Sequence, residues 1–212
     1  MLLPDSRAAT DLHPYFQPIV DEVLRRAPER GLYPFLTSTR RPYALQACYY
    51  AQGRLAPGQS ATYQGFMVSV SQHGAAIIAQ CRDEATRVPM NDWKRTVTNA
   101  QPKQSWHTLG FAADFAFRSS ATSHDARYDG ALYRKLADLF AEVCPDVVWG
   151  GTWHIADTPH FEWHPGITLG EAAAGNLPVY PKQCHTCGRF CDNFRGETCA
   201  ECQRRGVVPT AS

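Results

Sequence analysis

His107, Asp114 and His160 are the residues of this chain whose types best suit a catalytic zinc. Two neutral imidazoles and a carboxylate fill three corners of a tetrahedron and leave the fourth to water, whose pKa the metal lowers to about 7. Asp157 stands three residues before His160, beside Pro159, and reads as the general base that takes a proton from the attacking water. Glu162 is its rival because it alternates onto the His160 face. Two residues along a strand is about 6.6 Å, however, a spacing that suits a carboxylate steadying a ligand better than one serving the water.

These residues need elements that aim them. Gly110 to Phe117 reads as a strand with Phe111, Ala113, Phe115 and Phe117 on one face and Ala112, Asp114 and Ala116 on the other. The small alanines leave space around the carboxylate, and His107 precedes Gly110 in a turn that can fold back on the strand. His160, Glu162 and His164 alternate with Phe161 and Trp163 in the same way. Apolar spacing predicts helices over Leu12 to Ala27, ended by Pro28 and Gly31, and over Ala131 to Val143. Leu32 to Thr39 suits a strand that delivers Arg41, Tyr43 to Gly53 a helix stopped by its glycine, and Val147-Val148-Trp149 a returning strand. Leu55 to Val97, rich in Gly, Gln and Pro, reads as loop with short elements. The expected architecture is α+β, with a mostly antiparallel sheet and packed helices.

The order Arg41, Ser105-x-His107, Gly110, Asp114, Trp149-Gly150-Gly151, Asp157, His160 resembles the zinc peptidases that include D-alanyl-D-alanine carboxypeptidases and dipeptidases and the phage L-alanyl-D-glutamate endolysins. The resemblance runs through residues 1 to about 167 and not the tail. It implies that His107, Asp114 and His160 hold zinc, that Asp157 is the base, that Arg41 is the family arginine, and that Ser105 and Gln46 lie near substrate. Elementary electrostatics agrees about Arg41, since a fixed guanidinium neutralises the oxyanion of amide hydrolysis without itself titrating. Arg40 would face the opposite side of a strand, and it stands where the family often has an aromatic. Thr152 also departs from the pattern, standing where an acidic or amide residue is expected.

Bland readings stand beside these. Ser105 divides between a turn-capping serine and a substrate contact. Trp149, Trp153 and Trp163 read first as core, with Trp153 also a candidate for the cleft wall. His154 and His164 read as surface or supporting histidines. His13, His73 and His124 have no partner visible in sequence.

The composition changes after Pro165. The expected organisation is a peptidase domain over 1–167, with a short helical turn in 171–176 belonging to a linker over 168–183, and a small module over 184–205. Cys184-x2-Cys187 and Cys199-x2-Cys202 flank an eleven-residue spacer, as in a four-thiolate structural zinc knuckle or ribbon whose metal supplies its fold. Cys191 and His185 are spare donors, and the alternative is a pair of disulfides. Cys48, Cys81 and Cys144 read as small buried hydrophobes. The expected metal content is thus one catalytic and one structural zinc. Wall binding, a protein partner and capping of the main domain are all open to the tail.

Composition bounds the rest. A chain of 212 residues with 44% hydrophobic content has material for one proper core plus an appendage. A net charge of +1 gives no global case for nucleic acid or an anionic membrane. No apolar run approaches the ~20 residues of a membrane span, and Met1 to Ser6 lacks the basic start and apolar core of a secretory signal. The expectation is synthesis in a cytoplasm, followed by release or export by other means onto the cell wall. The preferred activity is L-alanyl-D-glutamate endopeptidase on peptidoglycan stem peptides. A D,D-carboxypeptidase or dipeptidase would share the metal site, and a non-catalytic wall-binding or scaffold protein is the rival from another class.

Overall fold

A computed structural model of the chain describes residues 5–81, 84–89, 94–163, 167–177, 182–184, 189–191, 194–195 and 198–199. Eight strands form the main elements: β1 (Pro34–Ser38), β2 (Ser60–Tyr63), β3 (Phe66–Val70), β4 (Ala76–Cys81), β5 (Glu84–Pro89), β6 (Ala112–Phe117), β7 (Val147–Trp149) and β8 (His160–Trp163). The helices are α1 (Gln17–Arg26), α2 (Tyr43–Ala51), α3 (Gly130–Val143) and the short α4 (Leu169–Ala173). The fold is α+β, as expected. It has two antiparallel four-stranded sheets, ordered β1-β6-β8-β7 and β2-β3-β4-β5.

The first sheet carries the expected alternation. Phe111, Ala113, Phe115 and Phe117 are buried in the larger core with α1, α3, Phe161 and Trp163. Helix α3 is seated there by Tyr133, Leu136, Leu139, Phe140 and Val143, and its start is capped by Asp129, whose side chain accepts from the Ala131 amide. Helix α1 begins at Gln17 rather than Leu12. An earlier start would move Pro18 from the first turn into the helix interior, where its ring has no N–H to give and meets a carbonyl.

The second sheet gives the stretch expected as mixed loop and short elements four short strands. Its inner face, Phe66, Val68, Val70, Ile77 and Ala79, packs on Ala44, Ala47, Cys48 and Ala51 of α2 as a separate core. The outer face is open to solvent, with Met67 57% and Ile78 39% exposed. Gln64 and Gly65, both at positive φ, close a two-residue hairpin between β2 and β3.

Beyond β8, α4 begins at Leu169, two residues ahead of the expected turn, and is capped by Thr168 in a reciprocal capping box with Glu171. Phe190 reaches back to pack on the larger core. Short antiparallel pairings join Lys182–Gln183 to Phe190–Cys191, and Phe194–Arg195 to Thr198–Cys199. Cys187, Cys202 and the side chain of Cys199 lie outside the described residues, as do His164, His185 and the side chains of Cys81 and Cys191. Cys48, Cys144 and Cys184 are buried. Among the described residues no helix is long and apolar enough to cross a membrane.

Candidate metal centre

Strand register sets two of the three expected ligands face to face. Asp114 on β6 pairs directly with His160 on β8, a placement that brings side chains on one face of a sheet within about 4.5–5.5 Å at Cβ. His107 comes from a 3-10 turn, Trp106–Leu109, closed by Gly110 at φ +78°. A Cβ on Gly110 would lie 2.7 Å from the His13 backbone nitrogen, so the reversal that returns His107 to the sheet demands glycine for space as well as for φ.

Outer hydrogen bonds decide which nitrogen each imidazole turns inward. His107 Nδ1 is 2.7 Å from the Thr39 carbonyl oxygen, which only accepts, so Nδ1 carries the proton and Nε2 offers a lone pair. His160 Nε2 is 2.9 Å from Glu162 Oε2, which leaves Nδ1 as its inward nitrogen. The two inward nitrogens are 3.2 Å apart, and Asp114 Oδ1 lies 3.2 Å from the first and 3.0 Å from the second. Three electron-rich atoms so close repel one another unless a cation or a shared proton lies among them. A tetrahedral zinc with bonds of about 2.0–2.1 Å would set its ligand atoms roughly 3.3 Å apart. The triangle therefore fits zinc in donor type and in size, and these three residues form the metal-competent cluster found among the described residues.

The electrostatics records the same crowding. Burial and the nearby Arg41 charge hold the His107 imidazole below its ordinary value, against the pull of Asp114. Burial also opposes charge on His160, but hydrogen bonds to Asp114 and Glu162 overcome it and raise its pKa to about 9. Asp114 stays well below the usual carboxylate range: burial works against its charge, and the two histidines prevail. Without metal, then, a proton on His160 can relieve the triangle. A metal ion would have to displace it.

Asp157 and Arg41 flank the centre. The Asp157 loop is pinned by its own amide to the Gly150 carbonyl at 2.9 Å, and by Trp149 Nε1 donating to the Thr158 carbonyl at 2.8 Å. A Cβ on Gly150 would lie 2.6 Å from the Asp157 carbonyl oxygen, so this close approach requires glycine. The Asp157 carboxylate stands open to solvent at the cleft mouth. Loss of hydration from the protein around it still pushes its pKa above the usual range, aided by Asp114 and opposed by His160, His107 and Arg41. Thr152 caps the preceding turn by donating to the Trp149 carbonyl at 2.8 Å.

Arg41, and not Arg40, faces the centre. The chain has left β1 by this point, so the choice is made by a turn rather than by strand alternation: the Arg41 amide donates to the His107 carbonyl at 3.0 Å. Arg41 Nη1 donates to Gln46 Oε1 at 2.9 Å, and Nη2 lies 3.0 Å from Ser38 Oγ and 3.4 Å from Asp114 Oδ2. Its guanidinium also lies over the Tyr49 ring. Gln46 is fully buried, and its amide nitrogen donates to the Ala100 carbonyl at 2.9 Å. Through these contacts it holds Arg41 and the cleft wall from behind.

A cleft of about 640 Å³ opens over the centre, lined by Arg41, Ser105, Asp157 and the metal-competent triad, among others. Ser105 precedes the His107 turn without a side-chain cap bond. Trp153 is on the cleft wall, its ring 5.1 Å from that of His160, whereas Trp163 is core and Trp149 packs against it. His154 is exposed. His13, without a partner in the sequence reading, stacks on Phe111 at 4.1 Å. Val97, Thr98 and Ala100 form a wall that sequence reasoning did not anticipate. Arg54 donates to the Thr98 carbonyl at 2.9 Å and to Asn99 at 2.8 Å, tying that wall to the end of α2.

Such a triad beside a carboxylate and an arginine is the plan of a metal-dependent hydrolase. Residues 98–163, which hold all three ligand candidates and Asp157, match the family model of D-alanyl-D-alanine carboxypeptidases. Over that stretch the chain is similar to that family. Two solved structures are similar to it. One is the L-Ala D-Glu endopeptidase ChiX of Serratia marcescens, at 15% identity and TM-score 0.45 over 76% of this chain and 89% of that one. The other is the vancomycin-resistance D,D-pentapeptidase VanY in complex with Zn(II), at 14% identity and TM-score 0.42 over 81% of this chain and 89% of that one. No curated protein matches the chain in sequence.

Proposed function

We propose that the protein hydrolyses peptidoglycan stem peptides as an L-alanyl-D-glutamate endopeptidase. The observation that carries the hydrolase reading is the convergence of His107 Nε2, Asp114 Oδ1 and His160 Nδ1 in a cleft that also holds Asp157 and Arg41. Those three atoms would hold a zinc ion, which when bound would supply Lewis acidity for the attacking water and the scissile carbonyl. Asp157 accepts the proton of the attacking water and returns it to the leaving amine. Its raised pKa suits that two-way duty. Arg41 faces the oxyanion with its guanidinium.

The open rim favours the endopeptidase over a D,D-carboxypeptidase or dipeptidase. In both substrates a free carboxylate sits next to the scissile nitrogen, but only the D-glutamyl residue continues into more peptide. The cleft must stay open beyond that carboxylate. Two of its lining residues, Tyr128 at 65% and Val97 at 47% exposure, leave the rim accessible. Digestion of purified wall, followed by identification of the new termini, is the test. New amino groups on glutamate support the proposal, and free D-alanine moves the activity to the carboxypeptidase. A wall left intact by zinc-loaded protein hands the case to the wall-binding scaffold.

We further propose that 184–205 is a separate structural zinc module bound through Cys184, Cys187, Cys199 and Cys202, joined by a linker over 168–183 to a peptidase domain over 1–167. Support comes from the paired Cys-x2-Cys spacing and from Phe190, which anchors the tail to the main core. Metal counting should find two zinc ions per chain. Changing Cys184 and Cys187 to Ser should lower this to one and spare hydrolysis, and a single ion in the unaltered protein sinks the two-site arrangement. No nucleic-acid partner is proposed. The tail's own partner, wall or protein, is a matter for binding assays, and the site of action is the wall after release or export.

A further inference from the structure

The Arg41 guanidinium is suspended between two carboxylates. Nη2 is 3.4 Å from Asp114 Oδ2 on one side, and Nε is 3.5 Å from Asp5 Oδ2 on the other. Neither is a close contact, and Nε makes no hydrogen bond at all. Asp5 is far from the other site residues in sequence, and nothing in its neighbours marks it for the purpose. Backbone pairing puts it there: the Thr39 amide donates to the Ser6 carbonyl at 2.7 Å, and the Ser6 amide donates to the Arg40 carbonyl at 3.3 Å. Ser38 Oγ then donates to Asp5 Oδ1 at 3.0 Å and accepts from Arg41 Nη2 at 3.0 Å. Thr39, whose amide the strap engages, also supplies the carbonyl that orients His107.

We propose that the segment at residues 5–6 is a strap whose Asp5 positions Arg41, and that its charge keeps the guanidinium from closing onto Asp114. The argument is one of balance. With two carboxylates at nearly equal distance, the guanidinium stays centred and Nη1, held by Gln46, keeps a hydrogen to offer an oxyanion. Remove the Asp5 charge and the nearest remaining anion is Asp114. The guanidinium then moves toward Asp114 Oδ2, withdrawing electron density from a carboxylate needed for metal and turning its free donor from the cleft. Asp5 thus acts through Arg41 and touches neither substrate nor metal. The catalytic half of this inference rests on the Arg41 role given above, whereas the metal half stands without it.

Asp5→Asn is the test, because the amide keeps the shape and an oxygen for Ser38 while discarding the charge. Expected are a kcat lower by about tenfold with KM within about twofold, less than the 10²–10³-fold loss expected from removing an oxyanion donor outright. Zinc affinity, measured on the full chain by chelator competition, should also weaken by about threefold to tenfold, less than the roughly 10–100-fold typical of losing a direct partner of a metal ligand. Both effects should vanish in an Arg41→Met background, and Asp5→Glu should recover part of each. Wild-type kcat and zinc affinity in Asp5→Asn would overturn the proposal. So would equal losses in the Arg41→Met background, because the strap would then act on the fold and not on the arginine. If the wild-type protein cleaves no wall, the peptidase reading is what fails, and the zinc-affinity cycle alone decides the role of Asp5.

Discussion

The two four-stranded sheets are built alike and used differently. The β1-β6-β8-β7 sheet has Asp114 and His160 opposite each other in register, with Ala112 and Ala116 beside the carboxylate and a dense aromatic core behind it. The β2-β3-β4-β5 sheet has apolar residues on its inner face and, among the described residues, puts none of its strand positions on the cleft. It serves the site at one remove, by seating α2, whose Gln46 holds Arg41 and the Ala100 carbonyl and beyond whose end Arg54 holds Thr98. One sheet presents chemistry, and the other fixes the wall and the arginine against which that chemistry works. Damage to the first should therefore appear in metal affinity and kcat, and damage to the wall side of the second, away from Gln46 and Arg41, in KM and stability.

The largest effect belongs to the loop between β7 and β8. Asp157→Ala should reduce hydrolysis by about 10²–10⁴-fold, as expected for removal of a general base. Zinc content and thermal stability should stay close to wild type, because the side chain is exposed and no hydrogen bond ties it to the triad. Equal loss of zinc would mean that Asp157 is a ligand. The raised Asp157 pKa fixes the sign of the pH effect: the base works only when ionised, so kcat/KM should fall as pH drops through a value above that of an ordinary aspartate. A profile that stays level down to the ordinary aspartate range removes Asp157 from that limb.

Next in size is Glu162 on β8. Its bond to His160 Nε2 selects the inward nitrogen, so Glu162→Ala should weaken zinc binding by about 10–100-fold, with partial recovery in Glu162→Gln. Chelator competition measures this directly. An unchanged affinity would show that the strand register alone orients His160, and the first sheet would then need less outside support than its hydrogen bonds suggest.

These ranks also explain what was legible in the sequence. Strand alternation exposes Asp114 because its face is otherwise alanine, and His160 because it and Glu162 alternate with Phe161 and Trp163, while Gly110 marks the reversal that returns His107. The second sheet was obscure because apolar residues occupy its solvent face. Met67 and Ile78 interrupt the alternation that Phe66, Val68, Val70, Ile77 and Ala79 would otherwise display. Asp5 left no local signal whatever, since its role depends on pairing between residues more than thirty apart. The Val97–Ala100 wall is irregular backbone held by long-range bonds from Gln46 and Arg54, so no period announces it. The placement of Gln46 behind Arg41 turns on burial that spacing does not reveal.

The comparison is sharpest where the second unit meets the wall. Gly53, just past α2, has φ +81°, and a Cβ there would lie 2.6 Å from the Thr96 backbone nitrogen. Gly53→Ala should destabilise the protein by about 1–3 kcal/mol, through strain at that φ and displacement of backbone that has no flexible end to yield. Because Thr96 leads into Val97 and Thr98, KM should rise several-fold while zinc affinity and the Asp157 limb stay in place. A loss confined to kcat or zinc would erase the division between the sheets. Met67→Ser on the outer face of β3 marks the lower limit: the side chain is 57% exposed, so stability should change by no more than about 0.5 kcal/mol and hydrolysis not at all. If denaturant titration instead finds a loss well beyond that, the outer face is covered by something, and the second sheet has a binding role besides supporting the cleft wall.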